Sequence, residues 1–128
     1  SPNSGPRACD ASPPMPTLRI LTNARVPAKD RSGLLAQASG AVAKMLGKPE
    51  SYVMVILEDG RDLLFAGTPA PAAYLELKSL GLSEGKTADY SRTLCDLLAG
   101  ALGIPAERVY IEFAAPPARL FGWNGGTF

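Results

Sequence analysis

The sequence contains no histidine, and this absence narrows the chemistry open to the protein. Without histidine there is no Ser–His or Cys–His nucleophile pair, and the commonest metal ligand is missing. Any proton transfer near neutral pH therefore has to use a carboxylate, a lysine, a tyrosine, a cysteine or a terminal amine whose pKa is shifted by its surroundings.

The sequence also has few cysteines, little net charge and no long apolar run. The two cysteines, Cys9 and Cys95, predict no disulfide framework and favour reduced thiols in a cytosol-like compartment. No apolar run reaches the length needed to span a bilayer. The net charge is +1 and the basic residues form no stripe, which argues against nucleic acid or an anionic membrane as a partner. We therefore expect a cytoplasmic protein without membrane insertion.

Residues 1–15 differ in composition from the remainder of the chain. They hold four prolines and almost no large apolar side chain. Such a segment cannot offset its ordering entropy, so we predict a disordered extension, which is a tag, a fragment or a pro-segment. It lacks the apolar core of a secretory signal, so any release would proceed without a signal peptide. Residues 16–128 are expected to form one domain.

A short pattern occurs twice in that domain. Leu, Gly, Pro and Val occupy the same places in residues 46–53 and, 56 positions later, in residues 102–109. Each copy follows a helical pattern and precedes a β-branched run. Leu-Gly before Pro is typical of a helix end, because the glycine takes the left-handed cap and the proline prevents continuation. Two such copies at one offset indicate an internal duplication.

The hydrophobic periodicity predicts the elements of both halves. In the first half, Asp30 or Ser32 is expected to cap the helix, and residues 53–57, apolar at every position, are expected to form a central strand buried on both faces. The other predicted segments are strands 17–23, 63–65, 73–80 and 109–114, one helix before each glycine stop, and a short strand or docked loop at 120–124.

Two βαβ units predict an α/β (α+β) fold in which a four-stranded mixed sheet carries two helices on one face. The opposite sheet face would remain open, because two helices cover only one side. We expect oligomerisation to cover it.

At several places the chain resembles the macrophage migration inhibitory factor family, and the plant and algal members most of all. The resemblance covers residues 16–128 and rests on five motifs: a Met-Pro start to the first strand, Gly47-Lys48-Pro49 with Tyr52-Val53, Ser79-Leu80-Gly81, Arg108-Val109-Tyr110-Ile111, and Gly122-Trp123-Asn124 with Thr127-Phe128. It implies a duplicated βαβ homotrimer of the tautomerase superfamily.

The resemblance also implies a reaction, the keto–enol tautomerisation of phenylpyruvate- or dopachrome-like substrates by an amino-terminal proline. Pro16 matches that proline, provided that it is the first residue of the active form. A free prolyl amine has an ordinary pKa of about 8, and burial beside a cation lowers it toward the range of a general base. The alternative interpretation of Pro16 is an ordinary proline at the start of a strand.

Six further residues match the substrate site of the family. Lys48 matches a lysine that holds the substrate carboxylate; otherwise it is a cation at a helix C-terminus. Leu80 stands where an isoleucine contacts substrate through its backbone. Tyr110 matches a tyrosine supplied by the neighbouring subunit. Glu112 replaces the asparagine of many animal members, and a carboxylate there would repel an anionic keto acid or pair with a cation. Aromatic pocket lining, or simple packing, is implied for Trp123 and Phe128.

Two other roles remain open from the sequence. One is a cytokine-like or regulatory protein that binds a receptor-type partner and keeps the pocket only as a ligand site; the other is a trimeric structural module with a blocked terminus. Residues 72–75 read Ala-Ala-Tyr-Leu where animal members carry Cys-x-x-Cys, which excludes redox activity by that motif. Cys95 is interpreted as a small buried hydrophobe. The resemblance implies neither a cofactor nor a metal, and a small aromatic keto acid as substrate.

Overall fold

The computed structural model describes residues 16–128; the predicted extension 1–15 lies outside the described residues. The described part contains two helices, four strands of one sheet, a terminal pair of short strands, and one-turn 3₁₀ segments. In chain order the principal elements are β1 (Thr17–Thr22), α1 (Ala28–Leu46), β2 (Met54–Glu58), β3 (Ala73–Lys78), α2 (Thr87–Leu102), β4 (Val109–Ala114), β5 (Gly122–Trp123) and β6 (Gly126–Thr127).

The main sheet is mixed and has the strand order β2-β1-β3-β4. β1 pairs parallel with β2, and β3 pairs parallel with β4, so each half is a βαβ unit. The two units join through antiparallel pairing of β1 with β3, in which Thr17 lies opposite Lys78 and Thr22 opposite Ala73. The predicted four-stranded sheet with two helices is confirmed.

The core lies between the helices and one face of the sheet. Alternate residues of the two central strands are fully buried, as a half-covered sheet requires. The fully buried leucines, isoleucines and small residues of this cluster come from both repeats: Leu18, Ile20, Ala38, Val42, Leu75, Leu77, Leu94, Leu98 and Ile104. Val109, Ile111 and Phe113 of β4 pack against the same cluster and are partly buried.

β2 was expected at the centre of the sheet, and this prediction was wrong. It is an edge strand on which Met54 is 59% exposed and Ile56 is 40% exposed. The duplication pairs the first strands of the two halves at the centre, so both second strands fall to the edges. The predicted strand at 63–65 is also absent, since Phe65 forms only an isolated bridge with Thr68.

Both helices end as the duplicated pattern predicts. Gly47 and Gly103 have φ angles of 65° and 69°, in the left-handed region. The next backbone N–H groups then turn back onto the last helical turn, from Lys48 to the Ala43 carbonyl and from Ile104 to the Leu98 carbonyl. At its start, α1 departs from expectation: it follows Pro27 without a side-chain cap, and Asp30 and Ser32 lie within it.

None of the helices within residues 16–128 combines the length and the apolarity that a bilayer span requires.

Two glycine substitutions in the first half should change stability in opposite directions. Gly47→Ala forces an L-residue into the left-handed region and should lower the free energy of unfolding by about 1 kcal/mol. Gly33→Ala, inside α1, should raise it by about 0.5–1 kcal/mol. A Cβ at either position would meet nothing within 4 Å, so the difference reports the backbone alone. Urea unfolding measures both, and shifts of the same sign would contradict the assigned cap.

Candidate functional site

Lys48 is a buried cation at the end of the first repeat. The residue is only 9% exposed, and its ammonium Nζ donates a hydrogen bond of 2.8 Å to the Leu80 carbonyl oxygen. Lysine is seldom buried without a specific reason. The Gly47 cap produces this placement, because it turns the chain off the helix axis immediately before Lys48. Lys48 and Leu80, two of the residues predicted for the site, are therefore in direct contact.

Pro16 lies at the same end of the sheet. It is almost completely buried, and its carbonyl accepts a hydrogen bond of 3.0 Å from the backbone N–H of Met54. Because Thr17 pairs with Lys78 across the antiparallel strands, the continuation of that register sets Pro16 beside Ser79, the residue before Leu80. Pro16 thus lies at the same end of the sheet as the contacting pair Lys48 and Leu80, where β1 begins and β3 ends.

An aromatic pocket opens next to this end of the sheet. The rings of Trp123 and Phe128 stack with centroids 5.9 Å apart and planes 9° apart, and Tyr52 meets Trp123 edge-on at 5.6 Å. The pocket measures about 360 Å³, and Thr17, which follows Pro16, contributes to its wall. Its lining comprises Thr17, Ser51, Tyr52, Val53, Met54, Phe121, Gly122, Trp123 and Phe128.

The C-terminal hairpin holds two of these aromatic rings. β5 and β6 pair antiparallel, with Trp123 opposite Gly126. The two residues between them, Asn124 and Gly125, have φ angles of 53° and 79°. Asn-Gly with two positive φ angles is the preferred two-residue hairpin turn. The expected short strand or docked loop at 120–124 is therefore one arm of a hairpin that places Trp123 against Phe128.

Tyr110 lies far from this pocket within the chain. It pairs with Tyr74, which lies opposite Leu21 of β1. Leu21 is five residues beyond Pro16, a distance of about 16 Å along a strand. Tyr110 is 66% exposed, and its ring packs against Phe65 with centroids 4.8 Å apart. One chain thus does not bring Tyr110 to Pro16.

Glu112 lies on the open face of the sheet, in register with Glu76 and, through it, with Arg19. Its carboxylate Oε1 accepts a 2.8 Å hydrogen bond from the Tyr74 hydroxyl, which is also 3.2 Å from a carboxylate oxygen of Glu76. Chiefly through the bond to Glu112, these carboxylates raise the pKa of Tyr74 to about 12. Glu112 is thus bonded to a tyrosine on its own sheet.

Comparison with known proteins places this arrangement in a family. The family model described as macrophage migration inhibitory factor (MIF) matches residues 15–128. The chain belongs to the MIF family. This family is a group of isomerases within the tautomerase superfamily.

Individual MIF relatives agree over nearly their whole length. The MIF homologue of Trichuris trichiura is 42% identical over 116 residues, which are 89% of this chain and all of the relative. MIF of Rattus norvegicus is 36% identical over 85% of this chain and 96% of its own. Among solved structures, the MIF homologue of Prochlorococcus marinus superposes with a TM-score of 0.82 at 42% identity, covering 88% of this chain and 98% of that one.

Sequence reasoning missed two aromatic residues of the pocket, Tyr52 and Phe121. Tyr52 belongs to the first copy of the duplicated pattern, but no neighbouring residue in the sequence indicates that its ring contacts Trp123. Phe121 stacks on Phe128 with centroids 6.0 Å apart.

Cys95 is half-buried rather than fully buried, and burial raises the pKa of its thiol.

The alkaline titration of Tyr74 tests its bond to Glu112. Glu112→Gln keeps an acceptor but removes the charge, so the Tyr74 pKa should fall from about 12 toward its ordinary value. The pKa of Tyr74 in the folded protein exceeds its unfolded value of about 10. The contribution of the hydrogen bond to the free energy of unfolding is therefore complete below about pH 10 and is lost as the pH rises through the folded pKa. Ultraviolet titration of tyrosinate measures the shift, with Tyr74→Phe as the assignment control. An unchanged titration in Glu112→Gln would contradict the bond.

Proposed function

We propose that this protein is a keto–enol tautomerase for phenylpyruvate- or dopachrome-like substrates, with Pro16 as the proton carrier once its nitrogen is freed. One observation carries the proposal: a buried lysine ammonium lies at the same end of the sheet as Pro16, and Thr17, the residue after Pro16, forms part of the wall of an open aromatic pocket. A small aromatic keto acid has a carboxylate for the cation and a ring for the pocket.

The proposed chemistry is a proton transfer without a cofactor. A free Pro16 is a secondary amine that takes the proton from the carbon beside the substrate carbonyl. The carbonyl oxygen takes up a proton from solvent to form the enol, the protonated amine releases its proton to solvent, and the reverse steps give the ketone. Lys48 attracts the substrate carboxylate and, as a neighbouring cation, holds the amine pKa down. Leu80 contributes its backbone, whose carbonyl already orients the Lys48 ammonium.

The aromatic rings of Trp123 and Phe128 are proposed to hold the substrate ring. They present stacked faces to a pocket of about 360 Å³, which is large enough for a single phenyl ring with its side chain. Tyr52 contributes to the wall of the pocket and contacts Trp123 edge-on. Stacking and offset contacts of this type favour aromatic over aliphatic keto acids.

The site is proposed to be completed by a neighbouring subunit of a homotrimer. Tyr110 is exposed and about 16 Å along the sheet from Pro16 in its own chain, so only another copy can bring it to the pocket. The exposed edge strand β2 and the open sheet face provide surface for such contacts. Glu112 would approach with Tyr110, and its negative charge is expected to weaken binding of anionic acids.

A regulatory binding role is the second candidate. In this sequence Pro16 follows Met15, and its nitrogen is then a tertiary amide whose lone pair is delocalised. In that form the pocket can bind a ligand but has no proline base, so a cytokine-like protein with a receptor-type partner retains every other feature of the site.

Activity should therefore depend on the amino terminus. Residues 16–128 with a free Pro16 should tautomerise phenylpyruvate, whereas residues 1–128 should show little or no proline-dependent activity, because an amide nitrogen cannot accept the proton. The two purified proteins are assayed side by side after mass spectrometry of both termini. Equal rates would show that another group performs the chemistry and would overturn the proposed role of Pro16.

Loss of the buried cation should weaken the handling of carboxylate substrates. In the form that begins at Pro16, Lys48→Ala should reduce kcat/KM for phenylpyruvate by about 1.5–3 kcal/mol of transition-state stabilisation. The pH–rate profile should shift to higher pH, because the amine loses a cationic neighbour. Lys44→Ala, an exposed lysine at the same helix end, is the matched control. A parent-like profile in Lys48→Ala would remove Lys48 from the site.

The subunit arrangement should be visible in solution. We expect a trimer for residues 16–128, since one chain leaves an apolar edge strand and a complete sheet face uncovered. Multi-angle light scattering at micromolar concentration determines the mass. A monodisperse monomer would contradict both the trimer and any pocket shared between subunits.

A further inference from the structure

Arg108 holds together the loop of residues 65–71, which lies beside Tyr110. Its Nε donates a hydrogen bond of 2.9 Å to the Pro71 carbonyl. Its Nη2 is 3.0–3.2 Å from three more carbonyl oxygens, those of Phe65, Thr68 and Ala70. The guanidinium carbon also lies 5.1 Å from the centroid of the Phe65 ring. A planar fork with several donors is required to reach this many backbone acceptors at once, and lysine cannot replace it.

The held loop contains a strained turn. Phe65 and Thr68 exchange backbone hydrogen bonds of 3.1 and 3.0 Å, and the residues between them, Ala66 and Gly67, have φ angles of 53° and 75°. Alanine is disfavoured at such angles and persists there only when its surroundings impose the conformation. The contacts of Arg108 supply that constraint, so the position of the Phe65 ring is imposed rather than locally preferred.

The Phe65 ring supports Tyr110. The two centroids are 4.8 Å apart with planes tilted by 45°. Tyr110 lies on an edge strand, and the residue is 66% exposed even with this contact. A contact from the held loop therefore limits the directions in which the Tyr110 ring can point.

The duplication makes Arg108 equivalent to a residue of the aromatic pocket. Arg108 is 56 positions after Tyr52, so the two residues are equivalent in the two repeats, and each closes a one-turn 3₁₀ segment (Glu50–Tyr52 and Ala106–Arg108). In the first repeat this position lines the aromatic pocket through its contact with Trp123. In the second repeat it holds the Phe65 loop beside Tyr110.

We propose that Arg108 and Phe65 are positioning residues that orient Tyr110 for insertion into the pocket of the neighbouring subunit, and that they thereby set the affinity for the substrate ring. This inference rests on the proposed function, since it takes Tyr110 as a pocket residue. It adds two residues that do not touch the substrate and that lie at the far end of the sheet from Pro16 of their own chain.

The kinetic test uses the form that begins at Pro16, because the sheet, the core and the aromatic pocket lie within the described residues. Arg108→Met and Phe65→Leu should each raise KM for phenylpyruvate about three- to tenfold and leave kcat within about twofold, because the loss is one aromatic positioning contact. Phe65→Tyr, which keeps the ring, should restore the parental KM. Arg92→Met is the matched control and should change neither value, because Arg92 is an exposed arginine of α2 that pairs with Asp89 along its own helix.

Two measurements separate positioning from a general loss of structure. In a Tyr110→Ala background, Arg108→Met and Phe65→Leu should have no further effect on KM, because the residue through which they act is gone. With oxaloacetate, a keto acid without a ring, both substitutions should have little effect. Three results would each overturn the proposal: a parental KM for phenylpyruvate in both single variants, an equal rise in KM with oxaloacetate, or an undiminished further rise in KM in the Tyr110→Ala background.

A readout that does not require activity distinguishes this inference from the proposed function. With 3-fluorotyrosine incorporated, the fluorine resonance of Tyr110 is assigned by its loss in Tyr110→Phe. Arg108→Met and Phe65→Leu should shift and sharpen that resonance, as expected for a ring released from one orientation, and Arg92→Met should not. If the parent with a free Pro16 is inactive, the proposed function fails, and the resonance still decides whether Arg108 and Phe65 hold Tyr110. An unchanged resonance in both variants would show that they do not.

Discussion

The antiparallel pairing of β1 with β3 is the constraint on which the rest of this structure depends. It joins two βαβ units whose central strands run in opposite directions, so that the beginning of one central strand lies beside the end of the other. Pro16 consequently lies beside the segment that carries Leu80, and Lys48 reaches the Leu80 carbonyl from the end of α1. The same pairing sends Tyr110 to the opposite end of the sheet.

The two repeats use equivalent positions for different purposes. Lys48 and Ile104 both follow a glycine cap and both turn into the protein, but Ile104 is fully buried in the core whereas Lys48 is a buried cation bonded to a carbonyl. Pro16 corresponds to Ala72, which is also fully buried. A hydrophobic side chain at such a place gains stability through burial, while a buried ammonium costs desolvation that its hydrogen bonds must offset. The first repeat therefore carries groups that its own fold does not require.

The open face of the sheet is polar at its centre and apolar at one edge. Arg19 pairs with Glu58 and lies 3.7 Å from Glu76, while Tyr74 bonds to Glu112. Hydrogen bonds between neighbouring strands keep these groups satisfied while the face is open to water, so the sheet does not depend on a second layer for its polar side chains. Met54 and Ile56 on β2 have no such compensation, and they make this edge suited to contact with another copy.

Local patterns in the sequence determined the duplication, the helix ends and the alternation of the strands, because each depends on neighbouring residues: Gly47 and Gly103 end their helices through their own backbone angles. The family resemblance indicated Lys48 and Leu80 as site residues, and the contact between them follows from the tertiary fold. The tertiary structure alone decided that β2 is an edge strand, that Tyr52 meets Trp123 and that Arg108 binds the loop beside Tyr110. These outcomes depend on which strands pair and on how the terminal hairpin folds back. An apolar run or a single aromatic residue is compatible with several such arrangements, and only the packing of distant segments selects one of them.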